Sequence, residues 1–253
     1  MTPVLETRDL TIRFGGQVAV DSVSLAFHSG TTTAIVGPNG AGKTTFFNLV
    51  SGQLRPSAGD VFLRGKRITA IATPARARLG LGRAFQLTNL FPALTVLENV
   101  RLAVQARAGA GLGFFRAADT RTDMTERAQT WLSETRLSAR AHHRVTALSH
   151  GDQRKLEVAM MLALEPEVFM FDEPTAGMSV DEVPVVLDLI AAIAARRDKT
   201  VLLVEHKMDV VRRLADRVVV LHQGALVADG EPAEVVASAI VQEAYLGIRS
   251  ANG

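Results

Sequence analysis

No cysteine occurs among the 253 residues of this chain. This absence excludes a disulfide framework and metal sites built from thiolates, and it is compatible with a reducing compartment. The N-terminus lacks the basic and apolar segments that mark a secretory signal, so we expect none. No apolar run reaches the roughly 18 residues that a membrane-spanning helix needs. The longest candidate, residues 182–195, is predicted to be a buried helix, and any membrane role is expected to be peripheral.

The chain also has little net charge. Its 28 Lys and Arg residues nearly balance 26 Asp and Glu residues, for a formal net charge of +2. Proteins dedicated to nucleic acid usually carry a basic stripe, so we do not expect a nucleic-acid partner. Because 47% of the residues are hydrophobic, a full core is available. The length suits one large α/β domain or two small ones.

A glycine-rich loop at residues 37–45 lies between two apolar segments, 33–36 and 46–50. This arrangement predicts a strand, a loop and a helix. Gly37 is followed after four residues by Gly42-Lys43-Thr44, which is the P-loop spacing. Glycines let main-chain N–H groups turn toward phosphate oxygens because no Cβ obstructs them. The N-terminal end of the helix adds partial positive charge. The loop is therefore predicted to cradle phosphates.

Two side chains of this loop have further roles in a nucleotide site. Lys43 can reach the β- and γ-phosphates, and the Thr44 hydroxyl can bind Mg²⁺. The residues predicted to contact the nucleotide are Gly37, Pro38, Asn39, Gly40, Ala41, Gly42, Lys43, Thr44 and Thr45.

A second apolar segment, residues 168–171, ends in two acids, Asp172 and Glu173. A continuous apolar run is typical of a parallel strand buried on both faces, and ligands bind at the carboxyl ends of such strands. Asp172 is suited to hold Mg²⁺ through water, and Glu173 can act as the general base toward an attacking water. Paired acids can also cap a helix, but the upstream P-loop favours the catalytic interpretation.

Three further side chains stand at the ends of predicted elements, and each has a structural alternative. Phe14 ends one of the two or three short strands predicted within residues 3–28, where it can stack on a purine or fill the core. Gln86 opens a polar loop, where its side-chain carbonyl can bind Mg²⁺ and its amide can orient a water, or where it can simply face solvent. His206 follows a predicted buried strand, residues 200–205, and can contact a γ-phosphate or be structural.

Residues 93–147 change to a helical periodicity. Ser149 then precedes a predicted long helix, with Asp152 three residues further on, which is close to a capping box. Such a helix start can bind an anion, or it can be a capped helix and nothing more. We interpret the whole block as a mostly helical subdomain inserted into the P-loop core.

The order of these elements resembles the ATP-binding subunit of an ABC transporter, and the resemblance covers nearly the whole chain. The signature helix, which opens with Leu-Ser-His-Gly at residues 148–151, distinguishes that family from other P-loop proteins. In closer detail the chain is similar to ATPases of branched-chain amino-acid importers, and urea-importer ATPases share much of the pattern. The segments that carry this closer resemblance are residues 94–100, 172–178, 204–209 and 244–247.

The resemblance implies an α/β fold of the P-loop NTPase class. It predicts a RecA-like parallel sheet core, an N-terminal antiparallel β part and an inserted helical subdomain. We expect a single ABC ATPase domain over residues 1–253, in which 1–86 and 165–253 form the catalytic core with the β part. Residues 87–164 would form the helical subdomain.

The family mechanism implies that two such domains form a head-to-tail sandwich with ATP and Mg²⁺ between them. Ser149 and Gly151 would contact the γ-phosphate of the ATP that the opposite subunit holds, and Phe14 would join the ATP site. The implied catalytic residues are Glu173, His206 and Gln86, and the implied Mg²⁺ ligands are Thr44, Gln86 and Asp172.

The implied partners are membrane-spanning permease subunits and a second ATPase subunit, either identical or paralogous. A solute-binding protein would be an indirect partner. The loop at residues 86–92 and the helical block would receive a coupling helix of the permease. The expected location is the cytoplasmic face of the inner membrane.

Two segments depart from the family pattern. His150 and Asp152 replace a glycine and the glutamine of the usual Leu-Ser-Gly-Gly-Gln, and an acid near a phosphate could weaken one ATP site. Residues 176–179 read Ala-Gly-Met-Ser, where Ser-Ala-Leu-Asp is usual.

Other functional classes of protein fit the sequence less well. Soluble ABC ATPases of DNA repair or translation carry tandem cassettes or a long coiled coil, and a switch without turnover would not need Glu173.

Overall fold

The structure, a computed structural model, describes residues 2–84, 90–109 and 118–238, without the side chains of 118–121. Gln86 lies outside the described residues, as do residues 241–246, for which the sequence predicts a short terminal helix. The chain divides into two compact units. One comprises the described residues of Met1–Leu81, Glu167–Glu173 and Ile193–Gly253, and the other those of Gly82–Pro166 and Pro174–Ala192.

An antiparallel sheet has the strand order β2-β1-β4-β5. Its strands are β1 (Leu5–Phe14), β2 (Gln17–Phe27), β4 (Ala58–Leu63) and β5 (Lys66–Arg67). The strands predicted within residues 3–28 are confirmed as two. The Pro and Gly residues of segment 52–60 predict a loop over the whole segment, but that loop is too long, because Ala58 already pairs with Thr11 of β1. Pairing with a strand distant in sequence decided this boundary, which the Pro and Gly of the segment did not indicate.

The second sheet has the order β10-β9-β3-β8-β7-β6. β3 pairs in parallel with β8 and β9, and β7 pairs in parallel with β8, while β9 and β10 form an antiparallel hairpin. Every residue of β3, β7 and β8 is buried, as expected for apolar strands covered on both faces. The bounds are β3 (Thr32–Val36), β6 (Leu81–Ala84), β7 (Val168–Asp172), β8 (Thr200–Val204), β9 (Arg217–His222) and β10 (Ala225–Gly230).

The described residues of the first unit include the helices α1 (Lys43–Ser51), α2 (Thr73–Arg78), α7 (Met208–Leu214) and α8 (Pro232–Ala237). α1 follows the P-loop, as predicted. α2 has a proline in its first turn, where the missing N–H of proline has no intrahelical partner to lose.

The guanidinium of Arg76 is buried beneath the C-terminal end of α1. It donates hydrogen bonds to the carbonyls of Leu49 at 3.0 Å and Val50 at 2.6 Å. These belong to the last turn of α1, where carbonyls lack helical partners. Two more donations go to Ile71 and Thr69, each at 2.8 Å. Burial lowers the pKa of Arg76 to about 10, and the four carbonyls compensate the buried cation.

The second unit has a helical core. It contains α3 (Val96–Arg107), α4 (Ala118–Glu134) and α5 (His150–Leu164), with 3₁₀ turns at Ser138–Arg140 and Val145–Ala147. A capping box begins α3: Thr95 Oγ accepts from the N–H of Glu98, and the Glu98 carboxylate accepts from the N–H of Thr95. The helices pack through apolar side chains that include Val100, Val104, Ala128, Leu132, Leu156 and Ala159.

The helix predicted to be buried over residues 182–195 is α6 (Val183–Ala195), and it is buried on one face only. Val186 and Ile190 are buried, whereas Pro184, Asp188 and Ala192 are exposed. Its outer residues are mostly small and apolar, so composition alone did not separate the two faces. Within the described ranges, no helix is long and apolar enough to cross a membrane.

Candidate active site

The P-loop, residues 37–45, follows β3 directly. Gly37 has φ 153° and Gly42 has φ 96°, and both values lie where side chains are disfavoured. A Cβ on Gly37 would lie 2.1 Å from the carbonyl oxygen of Leu221, and one on Gly42 would lie 2.4 Å from that of Ala19. Both positions therefore require glycine. The loop is a concave main-chain surface held against the neighbouring segments.

Lys43, the first residue of α1, folds back under this loop. Its Nζ donates hydrogen bonds to the carbonyls of Gly37 at 2.7 Å and Pro38 at 2.9 Å. Burial lowers the pKa of the Lys43 ammonium, and the negative charges of Glu173 and Asp172 oppose that shift. The cation is thus kept inside the loop, where it can exchange carbonyl oxygens for phosphate oxygens.

A cavity of about 490 Å³ opens over the P-loop. Its volume lies within the range of small-molecule sites. Phe14 lines it and is 51% exposed, so the alternative of a core side chain is wrong for Phe14. Sequence reasoning missed Gln223, which reaches the cavity from the β9–β10 turn. The lining residues are Phe14, Gln17, Val18, Ala19, Asn39, Gly40, Ala41, Gly42, Lys43, Thr44, Thr45, Glu173 and Gln223.

The two acids lie at the carboxyl end of β7, as predicted. Asp172 is 2% exposed. Glu173 has φ 49°, and its N–H donates to the carbonyl of Val204 at 3.0 Å. This bond to the neighbouring strand β8 holds the Glu173 main chain in a conformation that non-glycine residues rarely adopt. The Glu173 side chain is 26% exposed and lines the cavity above the P-loop.

His206 follows β8 and comes close to Glu173. Its Nδ1 lies 3.9 Å from Oε1 of Glu173, and its side chain is 52% exposed. The buried Glu205 fixes the turn, because its carboxylate accepts from the N–H groups of His206 at 3.0 Å and Lys207 at 3.2 Å. The structure therefore brings together the two predicted catalytic residues that it describes, while Gln86 lies outside the described residues.

The residues present fit a divalent cation that is held jointly with phosphate. Among the residues that the structure describes, no three His, Asp or Glu side chains form a complete metal site. Mg²⁺ usually takes one or two protein ligands and completes its shell with phosphate oxygens and water. Thr44 lines the cavity, and the Asp172 carboxylate is close enough to influence the Lys43 ammonium beneath it.

The second unit holds the other predicted phosphate contacts. Ser149 is the N-cap of α5, and its Oγ accepts from the N–H of Asp152 at 3.1 Å, which confirms the predicted cap. Gly151 lies in the first turn. Sequence reasoning missed Glu182, whose carboxylate accepts from Ser149 Oγ at 3.1 Å. The sequence contains one local signal for Glu182, because Ser179 and Glu182 have capping-box spacing.

Comparison with known proteins gives consistent matches. The family described as ABC transporter matches residues 20–176. The chain is 38% identical to the high-affinity branched-chain amino acid transport ATP-binding protein LivG of Salmonella typhimurium, over 97% of this chain and 98% of that protein. It is 37% identical to the protein of the same description, BraF, of Pseudomonas aeruginosa, over 97% of this chain and 98% of that protein.

Solved structures agree with this grouping. The ADP conformation of MJ1267, an ATP-binding cassette of an ABC transporter, matches with a TM-score of 0.82 and 27% identity, over 98% of this chain and 100% of that one. The dimeric structure of MJ0796, a bacterial ABC transporter cassette, matches with a TM-score of 0.78 and 25% identity, over 90% of this chain and 98% of that one.

Proposed function

The chain belongs to the ABC transporter family, in which it is an ATP-binding cassette and ATP hydrolase, and we propose that it powers the import of branched-chain amino acids. The observation that supports branched-chain amino acids as the substrate is the 38% identity, along 97% of the chain, to a branched-chain amino acid transport ATP-binding protein. The solute itself would bind elsewhere, on permease subunits and a solute-binding protein.

The P-loop residues 37–45 would hold the ATP phosphates. Main-chain N–H groups and the N-terminal end of α1 supply the positive surface. Lys43 would exchange the carbonyls of Gly37 and Pro38 for β- and γ-phosphate oxygens, which are stronger partners for an ammonium group. Phe14, which also lines the cavity, would stack on the adenine ring.

Mg²⁺ would be held by Thr44 and Asp172, with Gln86 as a further ligand. The ion would neutralise the charge that develops on the β- and γ-phosphate oxygens. Burial of Asp172 is consistent with this role, because a buried carboxylate needs a cation or hydrogen-bond donors nearby.

Glu173 would act as the general base for hydrolysis. It would accept the proton of the attacking water while the water oxygen bonds to the γ-phosphorus and the bond to the β–γ bridging oxygen breaks, leaving ADP and phosphate. His206, 3.9 Å from Glu173 at Nδ1, would hydrogen-bond the γ-phosphate and keep it aligned. Gln86 would orient the water.

Two cassettes, identical or paralogous, would close head to tail around two ATP molecules. Ser149 and Gly151 of one cassette would then contact the γ-phosphate bound to the P-loop of the other. Closure would drive the permease, and the cassette would work as a peripheral subunit at the cytoplasmic face of the inner membrane. A solved cassette that is 25% identical to this chain forms a dimer, which supports the sandwich.

Uptake of labelled leucine and labelled urea tests the substrate. Cells would carry this chain, its Glu173→Gln form or the control Glu234→Gln, which changes an exposed glutamate in α8. We expect only Glu173→Gln to abolish leucine uptake, and neither form to alter urea uptake. Loss of urea uptake alone would favour a urea or short-amide importer. Unchanged uptake of both solutes would contradict the assignment to either.

A further inference from the structure

The carboxylate of Glu182 lies over the N-terminal end of α5. Ser149 Oγ donates a hydrogen bond to Glu182 Oε1 at 3.1 Å while accepting one from the N–H of Asp152 at 3.1 Å. A Cβ built on Gly151 would lie 2.1 Å from both Cδ and Oε1 of Glu182. The carboxylate therefore fills the space that the missing side chain of Gly151 leaves open. All of these residues belong to the same compact unit.

Only one of the two carboxylate oxygens of Glu182 is explained by contacts with a neighbour in sequence. Ser179 donates to Glu182 Oε2 through its hydroxyl at 3.1 Å and through its N–H at 3.4 Å. These contacts are local, because Ser179 and Glu182 are three residues apart and close a turn just before α6. Oε1 points instead to Ser149, which is 33 residues away in sequence. The local turn at Ser179 does not require that second contact.

Electrostatics favour an anion at this position. The first turn of α5 exposes N–H groups and carries the partial positive charge of the helix. Asp152 is in that turn, but its carboxylate is engaged with Lys155 Nζ at 2.8 Å. Glu182 is thus the acid in contact with the Ser149 hydroxyl, and it takes the place in which an anionic ligand of this helix end would lie.

Resting on the ATP sandwich proposed above, we propose that Glu182 is a built-in competitor of the γ-phosphate. In the open cassette it occupies the anion position at Ser149 and Gly151, and it has to leave before the partner's ATP can be clamped there. A serine hydroxyl has one proton to donate, so Ser149 cannot serve the carboxylate and the phosphate together. The carboxylate of Glu182 and the γ-phosphate, both negatively charged, would also repel each other at this helix end.

The fold gives the displaced carboxylate a second partner. Ser179 keeps two donors directed at Oε2, so Glu182 can give up Ser149 without losing its contacts with Ser179. Displacement therefore costs one charge-assisted hydrogen bond while the turn before α6 is kept. Closure of the sandwich therefore requires a higher ATP concentration than it would without Glu182, which limits closure at low ATP concentration.

ATP-dependent dimerisation in a Glu173→Gln background tests the proposal, because hydrolysis is then removed. The ATP concentration for half-maximal dimer would be measured by sedimentation with Mg²⁺ present. Glu182→Gln keeps the size of the side chain and removes its charge, and Glu182→Ala removes the carboxylate altogether. Asp181→Asn is the matched control, because it removes one negative charge from the neighbouring exposed residue.

We expect Glu182→Gln and Glu182→Ala to lower the ATP midpoint by about tenfold or more, which is the effect of losing one charge-assisted hydrogen bond to the competitor. Asp181→Asn should shift it less than about twofold. An unchanged or higher midpoint in both Glu182 variants overturns the proposal. A melting temperature without nucleotide shows that each variant is folded.

A separate readout keeps the two proposals distinguishable. If the Glu173→Gln chain stays monomeric at every ATP concentration, the sandwich is contradicted, and inorganic phosphate then decides the role of Glu182. We expect phosphate to shift the amide resonances of residues 149–152 at several-fold lower concentration in Glu182→Gln than in the unchanged chain. Equal phosphate dependence in the two chains overturns the competitor role.

Discussion

The imidazole Nδ1 of His206 lies 3.9 Å from Oε1 of Glu173, across the carboxyl ends of the neighbouring strands β8 and β7. The main chain on each side is fixed, by the bond from Glu173 N–H to Val204 and by the Glu205 carboxylate. In the proposed mechanism the two side chains would act on one phosphate and its attacking water.

His206→Ala should lower the turnover number for ATP about tenfold or more, because a phosphate-aligning group is lost. ATP affinity should change less than about twofold, since the P-loop supplies most of the binding. Steady-state hydrolysis and nucleotide titration measure the two quantities. His142→Ala is the control, because His142 is exposed in the other unit. Full turnover in His206→Ala would leave His206 only a structural role.

Lys43→Met should weaken ATP binding at least about a hundredfold, because charge-assisted hydrogen bonds to two phosphates are lost. The melting temperature without ATP should change little, because the loss of the hydrogen bonds to Gly37 and Pro38 is offset by the removal of a cation whose pKa burial lowers. Thermal shift with and without ATP measures both. Lys66→Met, at an exposed position in β5, should retain the shift. Undiminished affinity in Lys43→Met would contradict the phosphate cradle.

Phe14→Ala should weaken ATP binding by about 1–3 kcal/mol, the range for one base stacked on an aromatic ring. Phe14→Trp should preserve binding, because any π face can stack. Phe91→Ala is a closely matched control, since Phe91 is 50% exposed and Phe14 is 51% exposed, yet Phe91 does not line the cavity. Equal affinities in Phe14→Ala and Phe91→Ala would contradict a stacking role.

Arg76→Met should destabilise the chain by about 3 kcal/mol, because it leaves the buried carbonyls under α1 without their donor. Arg76→Lys should recover only part of the loss, since an ammonium cannot replace the planar fork of donors. Chemical denaturation measures the effect. Arg78→Met, at an exposed position two residues later in the same helix, should be nearly neutral. Similar losses in the two Met variants would contradict the capping role.

Glu157→Gln should raise the melting temperature at pH 8, and the gain should shrink as the pH falls toward 4.5. Burial raises the pKa of Glu157 above its ordinary 4.5, although Arg154 opposes the shift. The folded chain therefore holds this proton more tightly than the unfolded chain, so stability is lost as pH rises through the folded pKa. Its Oε1 is buried without a hydrogen-bond partner in the described part of the chain.

Glu98→Gln is the control for that pH series, because its effect on the melting temperature should have the opposite sign. Hydrogen bonds from the Thr95 N–H and hydroxyl lower the pKa of Glu98. The carboxylate therefore contributes stability that is present above 4.5 and is lost as pH falls through the lowered pKa. The variant should melt lower than the unchanged chain at pH 8 and converge with it in acid. Parallel pH curves for the two variants would contradict the assigned environments.

Much of the site was predictable because its signals are local. The loop at residues 37–45 has a spacing that only a phosphate cradle explains well, and a buried strand before Asp172 predicted where the acids lie. Ser149 was predictable as a cap because one hydroxyl and one N–H three residues away suffice. These features depend on neighbours in the chain, and pattern reasoning reaches them directly.

Other features depend on residues that are distant in sequence. Arg76 reaches the end of α1 across more than 25 positions, and composition ranks an arginine as a surface residue. Glu182 contacts Ser149 across 33 positions, and its capping-box spacing predicts only the Ser179 contact. Residues 182–195 were predicted to be buried on the basis of their apolar content, which does not show which face of the helix packs against a neighbour.

By itself, the sequence determined the P-loop, the apolar parallel strands, the acids that follow β7 and the cap of α5. Each of these results from main-chain sterics, helix and strand periodicity or the chemistry of adjacent side chains. Only the tertiary structure decided that Glu182 lies at the Ser149 hydroxyl, that Arg76 caps the P-loop helix and that His206 lies near Glu173. Those contacts depend on the packing of distant segments, and no local pattern encodes which carbonyl or hydroxyl a long polar side chain will meet.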